Sequence, residues 1–564
     1  MALPIDFITR TRALLGEEFD RLEAALNADV PVSIRINSMK GTPAPKAGAP
    51  VAWCESGFYL PERLSFTFDP LFHAGAYYVQ EASSMFLEQA IKAYVKEPVR
   101  CLDLCAAPGG KSTHLASLLP DGSLLVSNEV IRSRSYVLAE NIAKWGRPDT
   151  IVINNDPEEI GEALPHLFDV IVTDVPCSGE GMFRKDTDST GEWSVDNVRL
   201  CASRGRRIIH DIWNALKPGG ILIYSTCTYN TEEDEENIHY IIEELGAEAL
   251  PIPTQEEWQI TGALRFEHPV YRFFPHKTRG EGFFLAALRK AEGEIEEIRV
   301  KSKGKKERGK AAPSIPQEAR LFLSDETSFS LEWNGSFLRA YPKAHSDLFS
   351  LINAKPLRVL SAGICLGEAK GKDFIPSQEL ALSTALTPNA FPSVELEWED
   401  AIKFLKKEAL AALYDFQIFH HKAVIEFHAG KAHQIFHRFD DPHAYIQLQR
   451  CGRGGVCNLF LHGFLLSGGN KVPVLVVIAF RPECRQRVRR YAPGQFQIGF
   501  HHKAHGVCFR KFFGELSIES RVRLSVRTLF VTPRHTASFP LRVSMARSLL
   551  MAAEDGFCKT ACFE

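Results

Sequence analysis

Apolar and polar positions change period several times along the chain, and each change marks an element. Residues 7–26 carry apolar side chains at helical spacing with acids and arginines between them, which predicts a helix. Residues 31–37, P-V-S-I-R-I-N, alternate like a half-buried strand, with Arg35 on its polar face, where a solvated surface is a commoner role than a phosphate contact. Residues 73–85, H-A-G-A-Y-Y-V-Q-E-A-S-S-M, pack aromatic and polar side chains more densely than a connector needs, lead into a helix over 85–94, and are expected to line a pocket. From about 96 to 290 the two periods alternate. A strand ending near 105 is followed by a helix over 111–119, then strands over 124–127, 150–153, 168–173 and 220–225, helices over 132–145, 194–216 and 231–245, and a late strand over 282–288. Such alternation predicts a doubly wound α/β sheet, in which ligands lie at the carboxyl ends of the strands.

The first of those ends, C-L-D-L-C-A-A-P-G-G-K-S-T over 101–113, runs from strand through a glycine turn into a helix N-terminus. Two glycines let backbone approach a ligand, and the first free N–H groups of the helix face it. Three identities compete for the turn. A phosphate loop would use the G-K-S ending, but Cys105 stands where that loop wants glycine. A dinucleotide fingerprint is absent. An S-adenosylmethionine pocket has no phosphate to cradle and accepts a shorter turn. The next strand ends at Asn128-Glu129, an acid placed to grip ribose hydroxyls, unless it is a plain surface residue. Asp156, after the third strand, can accept a hydrogen bond from an adenine amino group. The fourth strand, F-D-V-I-V-T-D-V-P-C-S-G, ends at Asp174 and Cys177 and keeps a nucleoside triphosphatase in play, because it also reads as a Walker B strand. The fifth, G-I-L-I-Y-S-T-C-T-Y, ends at Cys227. Two thiols opening onto one cleft have no use in such an enzyme, and a thiolate at a strand end is a strong nucleophile.

Length and composition narrow the setting. At 564 residues the chain is expected to hold several domains, and 45% hydrophobic with 24% charged residues is ordinary globular material. Without a long apolar run or an export leader, neither a membrane span nor secretion is expected, and the cytoplasm is the default. The 13 cysteines are too sparse for a disulfide scaffold; Cys54, Cys101, Cys201 and Cys365 read as small buried hydrophobes. A net charge of −3 means that any nucleic-acid surface must be local.

Taken together, A-A-P-G-G-K-S, D-V-P-C-S-G, Y-S-T-C-T and R-F-F-P-H-K-T-R-G-E-G-F-F resemble the Nop/Sun family of RNA cytosine-C5 methyltransferases, most closely its bacterial RsmF-type members, over roughly residues 1–410. The resemblance implies a Rossmann-like S-adenosylmethionine-dependent methyltransferase sheet whose last strand is antiparallel. It also implies a small N-terminal α+β RNA-binding domain (1–95), a catalytic domain (96–290) and a C-terminal RNA-binding region (319–410). The methyl donor would be S-adenosylmethionine, and the acceptor a cytosine of small-subunit (16S) ribosomal RNA. Cys105, Ala106, Ala107, Pro108, Gly109, Gly110 and Lys111, with Glu129, Asp156 and Asp174, would hold the cofactor. Cys227 would be the nucleophile, Cys177 the second thiol, and Asp174 would also hydrogen-bond the cytosine edge. No metal is expected, and a monomer is. A phosphate-loop triphosphatase and a catalytically idle RNA-binding or ribosome-assembly factor are the rivals.

The chemistry calls for these residue types. Cytosine C5 becomes nucleophilic only after a thiolate adds to C6, and release then requires loss of the C5 proton and expulsion of the thiol. The base must be unpaired or splayed out first. Arg184, Lys185, Lys277, Arg279, Lys370 and Lys372 are candidate phosphate contacts, with solvated charge the alternative for each. Residues 291–318 read as a flexible basic linker. After about 410 histidines crowd, among them His420, His421, His428, His433, His437 and His443, and acids become rare. No Cys or His spacing there matches a ligand set, and the tail 411–564 reads as a shifted reading frame or a poorly folded segment.

Overall fold

The computed structural model describes residues 3–186, 188–294, 314–370, 373–388, 390–391, 396–406 and 408, and beyond these only backbone strand segments between 425 and 538. Residues 1–438 form one compact unit and 439–564 a second. Within the second, Cys457–Ser467 and Asn470–Phe480 pair as an antiparallel hairpin. Most of the tail and of the basic linker lies outside the described residues, and the expectations for both fall there with them. Among the described residues no helix is long and apolar enough to cross a membrane.

The α/β expectation holds. Five strands run parallel in the order Leu216–Thr226, Phe168–Asp174, Arg100–Asp103, Leu124–Asn128 and Thr150–Ile153. Helices cover both faces, which is why these strands read as continuous apolar runs rather than alternating ones. Phe283–Lys290 pairs antiparallel with Leu216–Thr226, as the resemblance implied, and carries Ala247–Leu250 and Tyr271–Phe273 on its outer side. The opposite edge differs from expectation. Val359–Ala362, from the C-terminal region, pairs antiparallel with Thr150–Ile153 and so extends the catalytic sheet. The rest of that region forms its own antiparallel sheet of Phe329–Asn334, Phe337–Pro342, Ile364–Lys370 and Asp373–Pro376.

The predicted first helix is two, Ile5–Leu15 and Glu18–Leu26, because Gly16 turns the chain at φ 59. Their buried faces, Phe7, Phe19, Leu22 and Leu26, pack with Phe183, Trp193, Val198, Tyr229 and Phe274 of the following domain. These helices therefore brace the loops that follow Cys177 and Cys227. A four-stranded sheet built on Val32–Ile36 completes the N-terminal region. The long helix is Val195–Ile212, where Ser194 Oγ accepts the Asn197 N–H at 3.1 Å and a stripe from Val198 to Ile212 is buried.

Candidate active site

The turn after Arg100–Asp103 is held from several sides. Gly109 sits at φ 118, and Gly110 opens the helix Gly110–Leu118. Ala106 N–H donates to the Asn128 carbonyl at 2.8 Å, Arg134 Nη2 to the Ala107 carbonyl at 2.8 Å, and Asn141 Nδ2 to the Pro108 carbonyl at 2.8 Å. A Cβ added to Gly110 would touch the Tyr78 ring at 3.5 Å and lie 3.8 Å from Gln80 Cδ. Tyr78 and Gln80, within the segment 73–85, thus lie against the turn. Burial pushes the Cys105 thiol up, so it stays protonated and serves as a packing group.

Arg35 is where the strand pattern misled. It is fully buried, donating Nε to Gln80 Oε1 at 2.8 Å and Nη2 to Thr113 Oγ1 at 2.6 Å, with its guanidinium 4.5 Å from the Trp145 ring centroid. Alternation told which face was polar, not what covered it. The guanidinium also reaches the Gly110 carbonyl at 3.3 Å, tying the N-terminal sheet to the start of the turn's helix.

The acids stand at successive strand ends. Glu129 is buried; its Oε1 accepts the Ile131 N–H at 2.8 Å and its Oε2 pairs with Arg134 at 3.4 Å. Asp156 is exposed and opens Pro157–Ala163 in a capping box with Glu159, whose carboxylate accepts the Asp156 N–H at 3.1 Å. Asp174 pairs with Lys111 Nζ at 2.7 Å and accepts Ser225 Oγ at 2.9 Å. Burial would lower the Lys111 ammonium, but the Asp174 and Asp103 carboxylates outweigh it and hold the pKa above its ordinary value.

Asp103 went unremarked in the sequence, although it too is an acid closing a strand before the glycine turn. It is fully buried, Ser112 Oγ donates to its Oδ2 at 2.6 Å, and burial pushes its pKa up to about 7. Its Oδ1 has no hydrogen-bond partner among the described residues. A buried carboxyl oxygen awaiting a donor, an acid one strand along and a helix N-terminus suit a nucleoside carrying an amino-acid group. Lys111, already neutralised by Asp174, is not free to meet a triphosphate.

The two thiols meet. Cys177 Sγ and Cys227 Sγ are 3.1 Å apart, and the Cys227 N–H donates to Cys177 Sγ at 3.3 Å. The hydrogen bond to Cys227, with burial behind it, pushes the Cys177 thiol well above its usual range. Both are half-buried, whereas Cys54, Cys101, Cys201 and Cys365 are buried as expected.

Of the basic candidates, Arg184 is withdrawn from any phosphate. It is held inside by Glu281 at 2.9 Å and by the Gly280 carbonyl at 2.7 Å. Lys277 pairs with Glu18 at 2.8 Å, and Lys370 with Glu368 at 3.1 Å. Arg279 and Lys185 are exposed, Arg279 lying 4.4 Å from the Tyr59 ring centroid; Lys372 is outside the described residues.

Known proteins resemble this chain. A family profile described as "16S rRNA methyltransferase RsmB/F" matches residues 92–289, and one described as "N-terminal domain of 16S rRNA methyltransferase RsmF" matches residues 3–82. The chain is 31% identical over 420 residues to "Ribosomal RNA small subunit methyltransferase F" of Escherichia coli O139:H28, spanning 70% of this chain and 87% of that protein. The protein of the same description from Vibrio atlanticus is 31% identical over 424 residues, spanning 71% of this chain and 87% of its own length. Among solved structures, a methyltransferase homolog protein from Pyrococcus horikoshii is 30% identical, covers 50% of this chain and 93% of its own, and superposes with a TM-score of 0.43.

Proposed function

Because the chain belongs to the RsmF-type branch of the RsmB/F methyltransferase family, which is S-adenosylmethionine-dependent, we propose that it methylates C5 of a cytosine in small-subunit ribosomal RNA. The triphosphatase and the idle RNA-binding factor are not favoured beside that membership. The observation that carries the cytosine-C5 reading is the 3.1 Å approach of Cys177 and Cys227 at neighbouring strand ends, next to the cofactor turn.

In this reading Asp103, Glu129 and the turn from Cys105 to Lys111 hold the cofactor, with Asp156 at the adenine end. Bound there, S-adenosylmethionine supplies an electrophilic methyl group. Cys227 would add as thiolate to C6 of the flipped cytosine and send the electron pair of the C5–C6 double bond to C5, which would then attack the donor's methyl carbon as the bond to the sulfonium sulfur breaks and leaves its electrons on that sulfur. Asp174 accepts a hydrogen bond from the N4 edge of the base, and Lys111 balances its charge. The C5 proton then passes to solvent water, its electron pair restores the C5–C6 double bond, and the Cys227–C6 bond breaks with its electrons returning to sulfur. Cys177, protonated and touching Cys227, is placed to assist that expulsion.

Two variants test this, with labelled S-adenosylmethionine and unmodified small-subunit RNA. Cys227→Ala is expected to form no covalent protein–RNA adduct and to transfer no methyl group. Cys177→Ala is expected to accumulate adduct that survives a denaturing gel. Methylated RNA made by Cys227→Ala would overturn the nucleophile, and label on an atom other than cytosine C5, read by nucleoside analysis, would overturn the specificity.

A further inference from the structure

Two buried carboxylates tie together the loops that carry the sulfurs, each loop providing the acceptor for the other's donors. Glu180, on the loop after Cys177, accepts Thr228 Oγ1 at 2.8 Å and the Tyr229 N–H at 2.9 Å from the loop after Cys227. Its other oxygen takes Trp193 Nε1 at 3.0 Å. Glu233, beyond Cys227, does the converse, accepting the Ser178 N–H at 2.8 Å and the Ser178 hydroxyl from beside Cys177. Asn230 Nδ2 fills the remaining site on Glu233 at 2.7 Å. Ser178 Oγ and Thr228 Oγ1 lie 3.1 Å apart between the two carboxylates, and the Gly181 N–H closes the arrangement on the Cys227 carbonyl at 2.9 Å.

Burying two acids that face each other is costly unless donors converge on them. Glu180 and Glu233 are 2% and 1% exposed, and Glu180 adds to the burial that pushes Glu233 up to about 7. A fold needing only to anchor two loops could do so with apolar contacts. What the crossed carboxylates add is a fixed separation of two groups, because the donors of each loop end on an acceptor of the other.

We propose that Glu180 and Glu233 are a reciprocal pair of positioning residues for the release step, holding Cys177 against Cys227 so that the covalent RNA adduct is resolved. Both carboxylates spend their acceptors on the two loops and would act through the two cysteines, and the inference rests on the thiol roles proposed above.

The test uses the full chain carrying Glu180→Gln, Glu233→Gln or Thr228→Val. A glutamine keeps the shape but sets an NH2 group against Trp193 Nε1 or the Ser178 N–H, where only an acceptor fits. Each glutamine variant is expected to lose about 10- to 100-fold in kcat and to keep KM for S-adenosylmethionine within about twofold. Each is expected to accumulate denaturation-resistant protein–RNA adduct, as Cys177→Ala does. Thr228→Val, which removes a donor without touching a charge, is expected to do so to a smaller degree and guards against a glutamine variant that fails to fold. Wild-type kcat with no adduct in these variants overturns the inference. So does a kcat loss that follows the melting temperature and cofactor affinity without adduct, because that is a structural role alone. If instead the Cys227→Ala control forms adduct, the thiol assignment itself has failed, and that outcome is read from a different lane of the same gel.

Discussion

Replacing Gly181 by alanine perturbs the thiol pair without removing any group that reacts. An added Cβ would stand 2.6 Å from the Gly282 carbonyl oxygen, 2.8 Å from Gly282 Cα and 2.9 Å from the Cys227 carbonyl oxygen. Every one of these atoms is backbone, so no side chain can rotate away. Ordinary contact begins near 3.4 Å, which leaves about 0.8 Å to be opened toward Gly282 and about 0.5 Å toward Cys227. The contact is tight from the other side as well: a Cβ on Gly282 would lie 2.6 Å from Gly181 Cα and 2.5 Å from the Tyr229 ring, which stacks on Phe274. Part of the shift therefore falls on Cys227. Overpacking of this kind costs about 1–3 kcal/mol, which lowers the melting temperature of a domain this size by several degrees and leaves it folded at 25 °C. Misplacement of a reacting group by about 1 Å costs on the order of 100-fold, so a half-ångström shift of Cys227 predicts a kcat about 10- to 100-fold down. KM for S-adenosylmethionine is expected to stay near wild type, since the turn proposed to hold the cofactor is fixed by Asn128, Arg134 and Asn141 instead. The assay is methyl transfer to unmodified RNA at saturating cofactor, normalised to the folded fraction by circular dichroism. A folded Gly181→Ala protein with kcat within about threefold of wild type would show that the thiols do not depend on this contact.

Two further outcomes follow from buried charge. Arg35→Lys removes the fork that reaches Gln80, Thr113 and the Gly110 carbonyl and leaves buried acceptors short of donors, at about 2–4 kcal/mol. Calorimetric titration is expected to find S-adenosylmethionine binding weakened at least about tenfold, and an unchanged Kd would detach this clamp from the cofactor turn. His114 is fully buried, and burial, with the nearby Arg35 charge, holds its pKa down at about 4 despite the Glu88 carboxylate. Its folded pKa lies below its unfolded one, so the unfolded chain binds the extra proton. Stability is then full above about pH 6.5 and falls by up to about 3 kcal/mol as the pH drops to about 4. Burial raises the Glu88 carboxyl, but His114 and Lys92 hold it down at about 2, so its own contribution is lost only below about pH 4.5. Melting curves between pH 7 and 4.5 check the assignment: His114→Gln should flatten the slope, and an undiminished slope would place it elsewhere.

The strand ends were legible because period and turn chemistry are local. An apolar run that stops at an acid or a cysteine, followed by glycine and a helical pattern, names its own position in a doubly wound sheet. Asp174, Cys177, Cys227 and Glu129 all stand where that logic put them. What stayed hidden depends on partners far along the chain. Arg184 looks like a free cation until Glu281 arrives beside it, and Val359–Ala362 gives no sign in its own residues that it joins Thr150–Ile153. The run T-E-E-D-E-E-N shows the same difficulty most sharply. By composition it is a solvated helix start, with acids favoured near the N-terminus. In the fold Glu233, Asp234 and Glu235 are all buried. Arg272 binds Glu235 and lies 3.2 Å from Asp234, Thr226 Oγ1 donates to Asp234 at 2.6 Å, and Ser178 donates to Glu233. Each of these acids is buried with a donor from outside the run brought to it. A run of acids directly after a candidate nucleophile, with an arginine preceding the last strand, is therefore better read as the frame of the nucleophile's loop than as surface charge.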